Sequence, residues 1–235
     1  MERKPEDEVM GIADEAAAYA QADFSHVNQA FVDRLLELID SPPVGRALDL
    51  GTGPADIPIR LVRTLTRRLA AIGGPASALG DFKIVAVDAS AAMLDLARKA
   101  VAAAGLEGQI ELALVDAKRT ALSDHSFNVI FSNSILHHIT DVAAFWMELK
   151  RLAAPRAVVF LRDLARPNDA QAARAIVRTY AASESPLLQE EYYRSLLSAY
   201  TLDEVRTQLD RAGLACLQVK MISDRHMDVQ GRLLN

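Results

Sequence analysis

One stretch of the chain places two glycines two positions apart, directly after an apolar run: LDLGTGPADIPIRL, residues 48–61. A glycine loop between a strand and a helix lets a nucleotide lie against the backbone. The dinucleotide fingerprint needs a small residue at its third position, where this chain has Asp56, and no P-loop lysine follows. Because an acid at the beginning of a helix disfavours a phosphate there, the loop favours a ligand that carries an ammonium group.

Two acidic residues end the two predicted strands that follow this loop. Asp88 ends the apolar run FKIVAVD, and Asp116 ends QIELALVD. Parallel strands of a doubly wound sheet bring their carboxyl ends to one edge, so both acids are expected beside the glycine loop. A carboxylate there can accept charge-assisted hydrogen bonds from two neighbouring hydroxyl groups. The alternative for Asp88 is a capping role, together with Ser90, at the start of the next helix.

Candidates for acid–base chemistry follow the next two predicted strands. The segment FSNSILHHITD carries His137 and His138, and a neutral histidine can accept a proton at physiological pH. Adjacent residues on a helix point about 100° apart, so His137 is expected to face an acceptor and His138 to hold the loop. The same divergence argues against one metal ion between them, and no metal site is predicted. Asp163 ends the fifth strand, where it would bind a cationic acceptor, orient a base, or pair with Arg162 or Arg166.

The elements that position these residues alternate between strands and helices. Continuously apolar strands are typical of a parallel sheet covered on both faces. The runs LACLQVKMI and HMDVQGRLL, joined by a short turn, favour a terminal antiparallel hairpin. The sequence therefore predicts an α/β fold with a doubly wound, seven-stranded, mainly parallel sheet. Residues 1–43 are predicted to be a helical N-terminal segment and residues 44–235 the α/β domain, with a helical insertion at about 168–200 that Pro186 breaks in two.

Several motifs occur in one order along the chain. The glycine loop DLGTG (residues 49–53), the two strand-terminal acids, and FSNSILHHITD followed by ELKRL resemble the class I S-adenosylmethionine-dependent methyltransferases of the small-molecule type, over about residues 47–163. The resemblance implies a Rossmann-like methyltransferase fold and S-adenosylmethionine as the cofactor. One departure is the separation of 37 residues between Gly51 and Asp88, where about 20 is usual after such a loop. The extra residues coincide with the Gly/Pro-rich segment 71–80.

The resemblance also implies roles at the cofactor. Asp88 would accept the two ribose hydroxyls, Asp116 would bind the adenine amine, and the Asn133 carbonyl would approach the methionine amino group. Asp49 would either organise the glycine loop or contact the ligand. The residues assigned to the cofactor, including those beside the adenine ring, are Asp49, Gly51, Thr52, Gly53, Asp88, Ala89, Met93, Asp116, Ala117 and Asn133.

A polar and aromatic cluster interrupts the alanine-rich N-terminal segment: Tyr19, Asp23, Phe24 and His26. In the family, material before the first strand often folds over the cofactor, so the resemblance implies a lid that contacts the substrate. Closing such a lid would exclude water and fix the acceptor. The alternative is a turn between two helices with Ser25 as the cap.

The implied reaction is methyl transfer to a small-molecule acceptor by direct displacement. In this chemistry the protein aligns the reactants and sometimes supplies a base, and the catalytic candidates are His137, His138 and Asp163. Three alternatives remain open: a methyltransferase acting on RNA or protein, a non-catalytic subunit that binds the cofactor, and a metal-dependent transferase.

Composition limits the partners. The 235 residues carry a formal net charge of −5, which disfavours nucleic acid because phosphate neutralisation supplies most of that affinity. The single cysteine, Cys216, cannot form an intramolecular disulfide. No stretch of the sequence reaches the roughly 18 apolar residues of a membrane span. We expect a cytoplasmic monomer or homodimer that binds neither nucleic acid nor membranes.

Overall fold

The computed structural model describes residues 1–6, 24–39, 43, 45–73, 79–80 and 82–234. Strands and helices alternate within these ranges. The strands are β1 (Arg46–Leu50), β2 (Lys83–Asp88), β3 (Ile110–Leu114), β4 (Phe127–Asn133), β5 (Ala153–Leu164), β6 (Gln218–Met221) and β7 (His226–Arg232). The helices are α1 (Ser25–Leu38), α2 (Asp56–Ala71), α3 (Ala91–Ala104), α4 (Val142–Leu152), α5 (Ala170–Tyr180), α6 (Pro186–Ser198) and α7 (Leu202–Ala212), and Leu136–His138 form one 3₁₀ turn.

The seven strands form one sheet in the order β3-β2-β1-β4-β5-β7-β6. Strands β1 to β5 pair in parallel, whereas β7 lies antiparallel to both β5 and β6. This topology confirms the predicted fold class, including the terminal hairpin. It brings Asp88, Asn133 and Asp163 to one edge of the sheet, at the carboxyl ends of β2, β4 and β5. His226 begins β7 at the same edge, paired with Leu164.

Two apolar layers cover the faces of the sheet, as the continuously apolar strands predict. Alternate residues of β1 point to opposite faces: Leu48 and Leu50 pack with α4 and α7, whereas Ala47 packs with α1, α2 and α3. Trp146 is completely buried in the first layer. The sheet is therefore held in place from both sides, and only its ends are available for a ligand.

Helix α1 contributes to the core of the α/β domain. Phe31 is completely buried, and its ring centroid lies 4.6 Å from that of Phe160 on β5 and 6.2 Å from that of Phe131 on β4. The prediction that all of residues 1–43 are helical is wrong for residues 1–6, which contain no helix. This segment has no apolar face at helical spacing, and its backbone bonds to another element, with the Lys4 amide donating to the Leu197 carbonyl over 3.0 Å.

The predicted insertion consists of α5 and α6, and Pro186 is the first residue of the second helix. These helices bury a small apolar cluster of their own against the end of β5. They also contact the turn between β6 and β7, where the Tyr180 hydroxyl donates to Asp224 over 2.9 Å and the Arg225 guanidinium lies 3.2 Å from the Tyr180 ring centroid. The insertion therefore covers one side of the carboxyl edge.

Helix starts follow the local sequence. Thr201 and Glu204 form a complete capping box at the start of α7. Ser90 caps α3 by accepting a hydrogen bond from the Met93 amide. No helix within the described ranges is long and apolar enough to cross a membrane.

Candidate cofactor and acceptor site

The glycine loop lies between β1 and α2, and its two glycines have different surroundings. Gly51 has φ +74°, and a Cβ there would lie 2.6 Å from Cδ1 of Ile135. Gly53 has φ +54°, and a Cβ there would meet nothing within 4 Å among the described residues. The amides of Gly51 and Thr52 both donate to the Val87 carbonyl over 2.9 Å, which ties the loop to β2. Packing thus requires Gly51, whereas Gly53 leaves the backbone open to a ligand.

Asp49 lies beneath this loop as a buried carboxylate. Only 2% of the residue is exposed, and its Oδ2 atom has no hydrogen-bond partner in the part of the chain that the structure describes. Burial raises the pKa of Asp49 to about 7; the nearby Thr52 hydroxyl opposes this rise, and the charge of Asp88 adds to it. The Thr52 hydroxyl oxygen is also buried without a hydrogen-bond partner among the described residues. A cationic or hydrogen-bonding ligand group at this position would stabilise both side chains.

Asp88 joins the glycine loop to the start of α3. Its Oδ2 atom accepts from the Gly53 amide and its Oδ1 atom from the Ser90 amide, each over 2.8 Å. Burial raises the pKa of Asp88 above its usual value, and these amides oppose the rise. The alternative interpretation, that Asp88 organises the start of α3 together with Ser90, is therefore confirmed as a structural role. The carboxylate is half-buried and keeps further acceptor capacity.

The residues predicted around the adenine lie after β2 and β3, which are neighbours in the sheet. Asp116 is exposed, accepts from the Lys118 amide over 2.8 Å and forms an ion pair with the Lys118 ammonium at 3.1 Å. Ala117 and Met93 are buried, whereas Ala89 is exposed. The structure brings these residues to the same edge as Asp88 by the pairing of β2 with β3. Their contact with adenine stays a prediction.

Strand β4 ends at Asn133, and the backbone turns sharply after it. Ser134 has φ +59°, an uncommon conformation for a residue with a side chain, and its amide donates to the Arg162 carbonyl over 2.8 Å. Ser132 donates to the Leu50 carbonyl over 2.6 Å, which fixes β4 against β1. The turn that carries the two histidines is thereby held beside the glycine loop.

Asp163 and His137 form a buried pair at this edge. Oδ1 of Asp163 lies 2.6 Å from Nδ1 of His137, and Oδ2 accepts from the Leu136 amide over 2.6 Å. Burial opposes ionisation, but His137 and the backbone amides hold the pKa of Asp163 below its usual value. Burial likewise favours a neutral ring, but Asp163 outweighs it and the pKa of His137 rises above its ordinary value. The pair holds the 3₁₀ turn against the end of β5.

Asp163 makes neither of the arginine ion pairs considered from the sequence. Arg162 instead binds Asp228 on β7 through two hydrogen bonds of 2.8 and 2.9 Å. Arg166 pairs with Glu204 at 2.5 Å. Both arginines are neighbours of Asp163 in sequence, but the alternation of a strand points Arg162 to the opposite face.

The two histidines are oriented in the reverse of the expected way. The side chain of His137, expected to face the acceptor, is 4% exposed against Asp163, whereas that of His138 is 23% exposed. Their ring centroids lie only 4.1 Å apart. Tertiary contacts explain this arrangement, because Asp163 holds His137 in the buried position and Glu6 lies within 3.7 Å of both rings.

Two functional candidates that the sequence did not indicate lie in residues 1–6, which we call the N-terminal strap. Oε1 of Glu6 lies 3.3 Å from Nδ1 of His138 and 3.7 Å from Nε2 of His137. The Arg3 guanidinium donates to the carbonyls of Ser198, His137 and Ile139 over 2.6, 2.9 and 3.2 Å. No local pattern signals these contacts, because the strap and the 3₁₀ turn are far apart in the chain.

Two of the four predicted lid residues, Phe24 and His26, lie within the described residues. Tyr19 and Asp23 lie outside the described residues. Phe24 occupies the N-cap position of α1, so the alternative with Ser25 as the cap is wrong, and His26 is exposed on the first turn. Asn28 of the same turn donates to Asp56 over 2.8 Å, which places the start of α1 beside the glycine loop. A lid function stays a prediction.

Comparisons with known proteins find methyltransferases among the relatives of this chain. Residues 66–161 match a family model described as a methyltransferase domain. The chain is 32% identical over 127 residues to a demethylmenaquinone methyltransferase of Roseiflexus sp. (strain RS-1), covering 54% of this chain and 46% of that protein. It is 24% identical over 185 residues to a ubiquinone/menaquinone biosynthesis C-methyltransferase, UbiE, of Ectopseudomonas mendocina, covering 78% of this chain and 67% of that protein.

A solved structure extends the likeness to the whole fold. A SAM-dependent methyltransferase from Aquifex aeolicus superposes with a TM-score of 0.63 at 19% identity, covering 94% of this chain and 98% of the other. The match to the Roseiflexus relative spans about half the length of that protein.

Proposed function

We propose that this chain is a class I S-adenosylmethionine-dependent methyltransferase that transfers a methyl group to a ring carbon of a small quinol. The observation that carries the proposal is the Asp88 carboxylate at the carboxyl edge, which links the glycine loop to α3 in a chain related to two quinone-biosynthesis methyltransferases. When bound, S-adenosylmethionine supplies a methyl group activated by its sulfonium. Residues of the chain would bind the cofactor, orient the acceptor and remove its proton.

Asp88 is suited to hold the ribose. An ionised carboxylate offers about four acceptor positions, and the Gly53 and Ser90 amides use two of them. The Ala89 amide also stabilises this carboxylate, and its remaining acceptor capacity is available to the ribose hydroxyls without loss of the contacts that order the loop. Hydrogen bonds to a charged carboxylate are about twice as strong as neutral ones, so this residue would contribute strongly to cofactor affinity.

The glycine loop is suited to the amino acid end of the cofactor. The unpartnered Oδ2 atom of Asp49 would be stabilised by a nearby ammonium, and the open space at Gly53 admits a close approach to the backbone. The same features disfavour a phosphate, because Asp49 and Asp88 would repel it. These observations support S-adenosylmethionine over a dinucleotide.

A ring carbon that gains a methyl group must lose its proton, so a proton acceptor is needed near the acceptor edge. His137 with Asp163 is the candidate, since the carboxylate fixes the ring and stabilises its protonated form. In this structure Nε2 of His137 faces Glu6 of the strap. A base role for His137 therefore requires the strap to move, and the catalytic roles of His137, His138 and Asp163 stay predictions.

The acidic net charge of −5 also supports a small-molecule acceptor over RNA. A monomeric or homodimeric state stays a prediction.

Incubation with S-adenosylmethionine and a chemically reduced demethylmenaquinol tests the proposal, with the methylated product detected by mass spectrometry. We expect a C-methylated product that forms from the reduced ring and not from the oxidised quinone, because only the hydroxylated ring is electron-rich. Cofactor binding without product from any reduced quinol would contradict the acceptor and favour a non-catalytic role.

A further inference from the structure

We propose that Glu6, His137 and His138 form a binding site for a divalent transition-metal ion, best suited to Zn²⁺. One donor atom from each side chain lies within 4.8 Å of the other two. The Glu6 Oε1 atom is 3.3 Å from Nδ1 of His138 and 3.7 Å from Nε2 of His137. Ligands about 2.0–2.2 Å from a tetrahedral zinc ion lie roughly 3.3–3.6 Å from one another, so the two separations from Glu6 are already close to those of a zinc site.

Asp163 supplies the supporting contact that a metal-binding histidine usually has. Its carboxylate lies 2.6 Å from Nδ1 of His137, which favours the Nδ1 proton, so the neutral ring carries its lone pair on Nε2, the nitrogen that faces Glu6. A second-shell carboxylate of this kind fixes the tautomer and the ring orientation and raises the basicity of the ligating nitrogen. The buried end of the site is therefore built as a carboxylate–histidine–metal arrangement.

The charges around the cluster also favour a cation. Glu6 adds a second carboxylate beside the Asp163–His137 pair in a largely buried volume, where a charge without full compensation is costly. The Ser195 hydroxyl donates to Oε1 of Glu6 over 3.1 Å and holds it in place. The nearest guanidinium, Arg3, is directed at backbone carbonyls, including those of His137 and Ile139. A divalent ion would neutralise the carboxylates that this arginine does not contact.

The ligand types select the metal. Two imidazoles and one carboxylate suit zinc and its neighbours among the first-row metals rather than Mg²⁺ or Ca²⁺, which prefer oxygen. Three protein ligands leave a fourth position of a tetrahedral ion open. The side chains of Glu6 and His138 keep 15% and 23% of their surface exposed, so a small ligand has access from one side.

Such an ion would join the N-terminal strap to the turn after β4. The strap and the turn are already linked by the Arg3 and Lys4 contacts, so the metal would add to an existing arrangement rather than create it. This inference goes beyond methyl transfer and its test does not depend on it, but an ion on Nε2 of His137 would occupy the nitrogen proposed as the base, so His137 could act as a base only in the metal-free protein.

Titration of the full chain with zinc chloride, after treatment with a chelator and its removal, tests the proposal by calorimetry. We expect one equivalent of Zn²⁺ to bind with micromolar affinity or better. Glu6→Gln and His138→Ala should each weaken binding at least tenfold. Glu2→Gln and His125→Ala are the matched controls, because both residues are exposed and lie outside the cluster, and neither should change the dissociation constant.

Substitution of Co²⁺ gives a second readout, since a tetrahedral cobalt site absorbs strongly in the visible range. Asp163→Asn should reduce metal affinity about 10- to 100-fold, as loss of an outer-shell partner does elsewhere. Circular dichroism checks that each variant is folded. If Asp163→Asn does not fold, Glu6→Gln still tests the site.

The proposal would be overturned if the wild type bound no zinc, or if Glu6→Gln and His138→Ala bound it as well as the wild type. In that case the cluster is an ion-pair contact of the strap only. The titration contains no S-adenosylmethionine and no acceptor, so its failure leaves the proposed methyl transfer untouched. Zinc binding in a chain that does not bind the cofactor would refute the proposed function alone.

Discussion

At the scale of single residues, the candidate site depends on two aspartates that differ in burial and in hydrogen bonding. Asp88 is half-buried and accepts from two backbone amides, whereas one oxygen of Asp49 is buried without a partner among the described residues. The amides therefore offset part of the cost of charging Asp88, whereas the charge of Asp49 is compensated less and its pKa rises to about 7. A buried carboxylate without a partner destabilises the fold unless a ligand compensates it, which makes Asp49 a sensitive reporter of the site.

Asp49→Asn should stabilise the ligand-free protein at neutral and higher pH. The pKa of Asp49 is about 7 in the folded chain, against about 3.9 when it is exposed. Between these values the folded state holds a proton that the unfolded state has lost. Stability from this group is therefore complete below about pH 4 and falls as the pH rises through 7.

The free energy of unfolding, measured in urea from pH 5 to pH 8, checks this expectation. The variant should gain about 2–3 kcal/mol relative to the wild type over that range. Asp95→Asn is the control, because that residue is exposed and paired only with Arg98 on the helix surface. An equal pH dependence in wild type and Asp49→Asn would be inconsistent with a buried, high-pKa carboxylate.

Gly51→Ala and Gly53→Ala form a matched pair at the glycine loop. Both positions have positive φ, and a left-handed conformation costs a residue with a side chain about 1–2 kcal/mol. Only Gly51 also faces Ile135, and forcing an extra methyl into a packed site costs about 1–3 kcal/mol more. Urea unfolding should show the larger loss for Gly51→Ala.

The same glycine pair has an internal control. In the Ile135→Ala background, Gly51→Ala should cost less than in the wild type, because Cδ1 and Cγ1 of Ile135, at 2.6 and 3.0 Å from the new Cβ, are removed. Equal losses at the two glycines, with no recovery in the double variant, would mean that Ile135 does not pack on the loop.

At the scale of elements, one ionic network fixes α4 to the loop after β3. Glu148 accepts from the Thr120 amide and hydroxyl over 2.8 and 2.7 Å, and Arg151 donates to Glu148 and to the Leu122 carbonyl. The Arg151 hydrogen bonds, with help from Thr120, lower the pKa of Glu148 to about 2. Helix α4 follows the 3₁₀ turn of the acceptor edge directly, so this network also anchors the site.

Acid should therefore reduce the stabilisation that the Glu148 network gives to the fold, and with it the free energy of unfolding. The unfolded chain protonates Glu148 near pH 4.5, and the folded chain does so only near pH 2. The stabilisation is complete above pH 4.5 and is lost as the pH falls through about 2. From pH 7 to pH 3 the wild type should lose about 2 kcal/mol more than Glu148→Gln.

Urea unfolding at the two pH values measures this difference. Glu107→Gln is the control, since Glu107 is exposed and should follow the wild type. Parallel losses in wild type and Glu148→Gln would show that the network does not stabilise the fold.

The elements themselves were accessible from the sequence for clear physical reasons. Continuously apolar runs predicted strands that are covered on both faces. The acids at the ends of two of these runs, Asp88 and Asp163, could therefore be placed at the carboxyl ends of β2 and β5. The contact of Glu6 with His137 was not accessible, because it depends on tertiary packing between distant segments. The close approach of His137 and His138 was also missed, because it depends on tertiary contacts with Asp163 and Glu6 that a pair of adjacent residues does not reveal.

At the scale of the whole molecule, the sheet order is what creates the site. The parallel strands β1 to β5 put the glycine loop, Asp88 and Asp163 on one edge. The antiparallel β7 lies beside β5 and begins at the same edge. The α5–α6 insertion and the N-terminal strap then cover the acceptor end of that edge. The fold thus separates an open glycine loop from a covered histidine cluster, which suits a cofactor on one side and an acceptor on the other.

The central claim is that this edge binds S-adenosylmethionine through Asp88. Calorimetric titration with S-adenosylmethionine and with its demethylated product, on the wild type, Asp88→Ala and the surface control Asp95→Ala, tests it most directly. The account predicts micromolar binding that Asp88→Ala weakens at least tenfold, about 1.4 kcal/mol, and that Asp95→Ala leaves unchanged. Absence of binding of either compound to the folded wild type would contradict it.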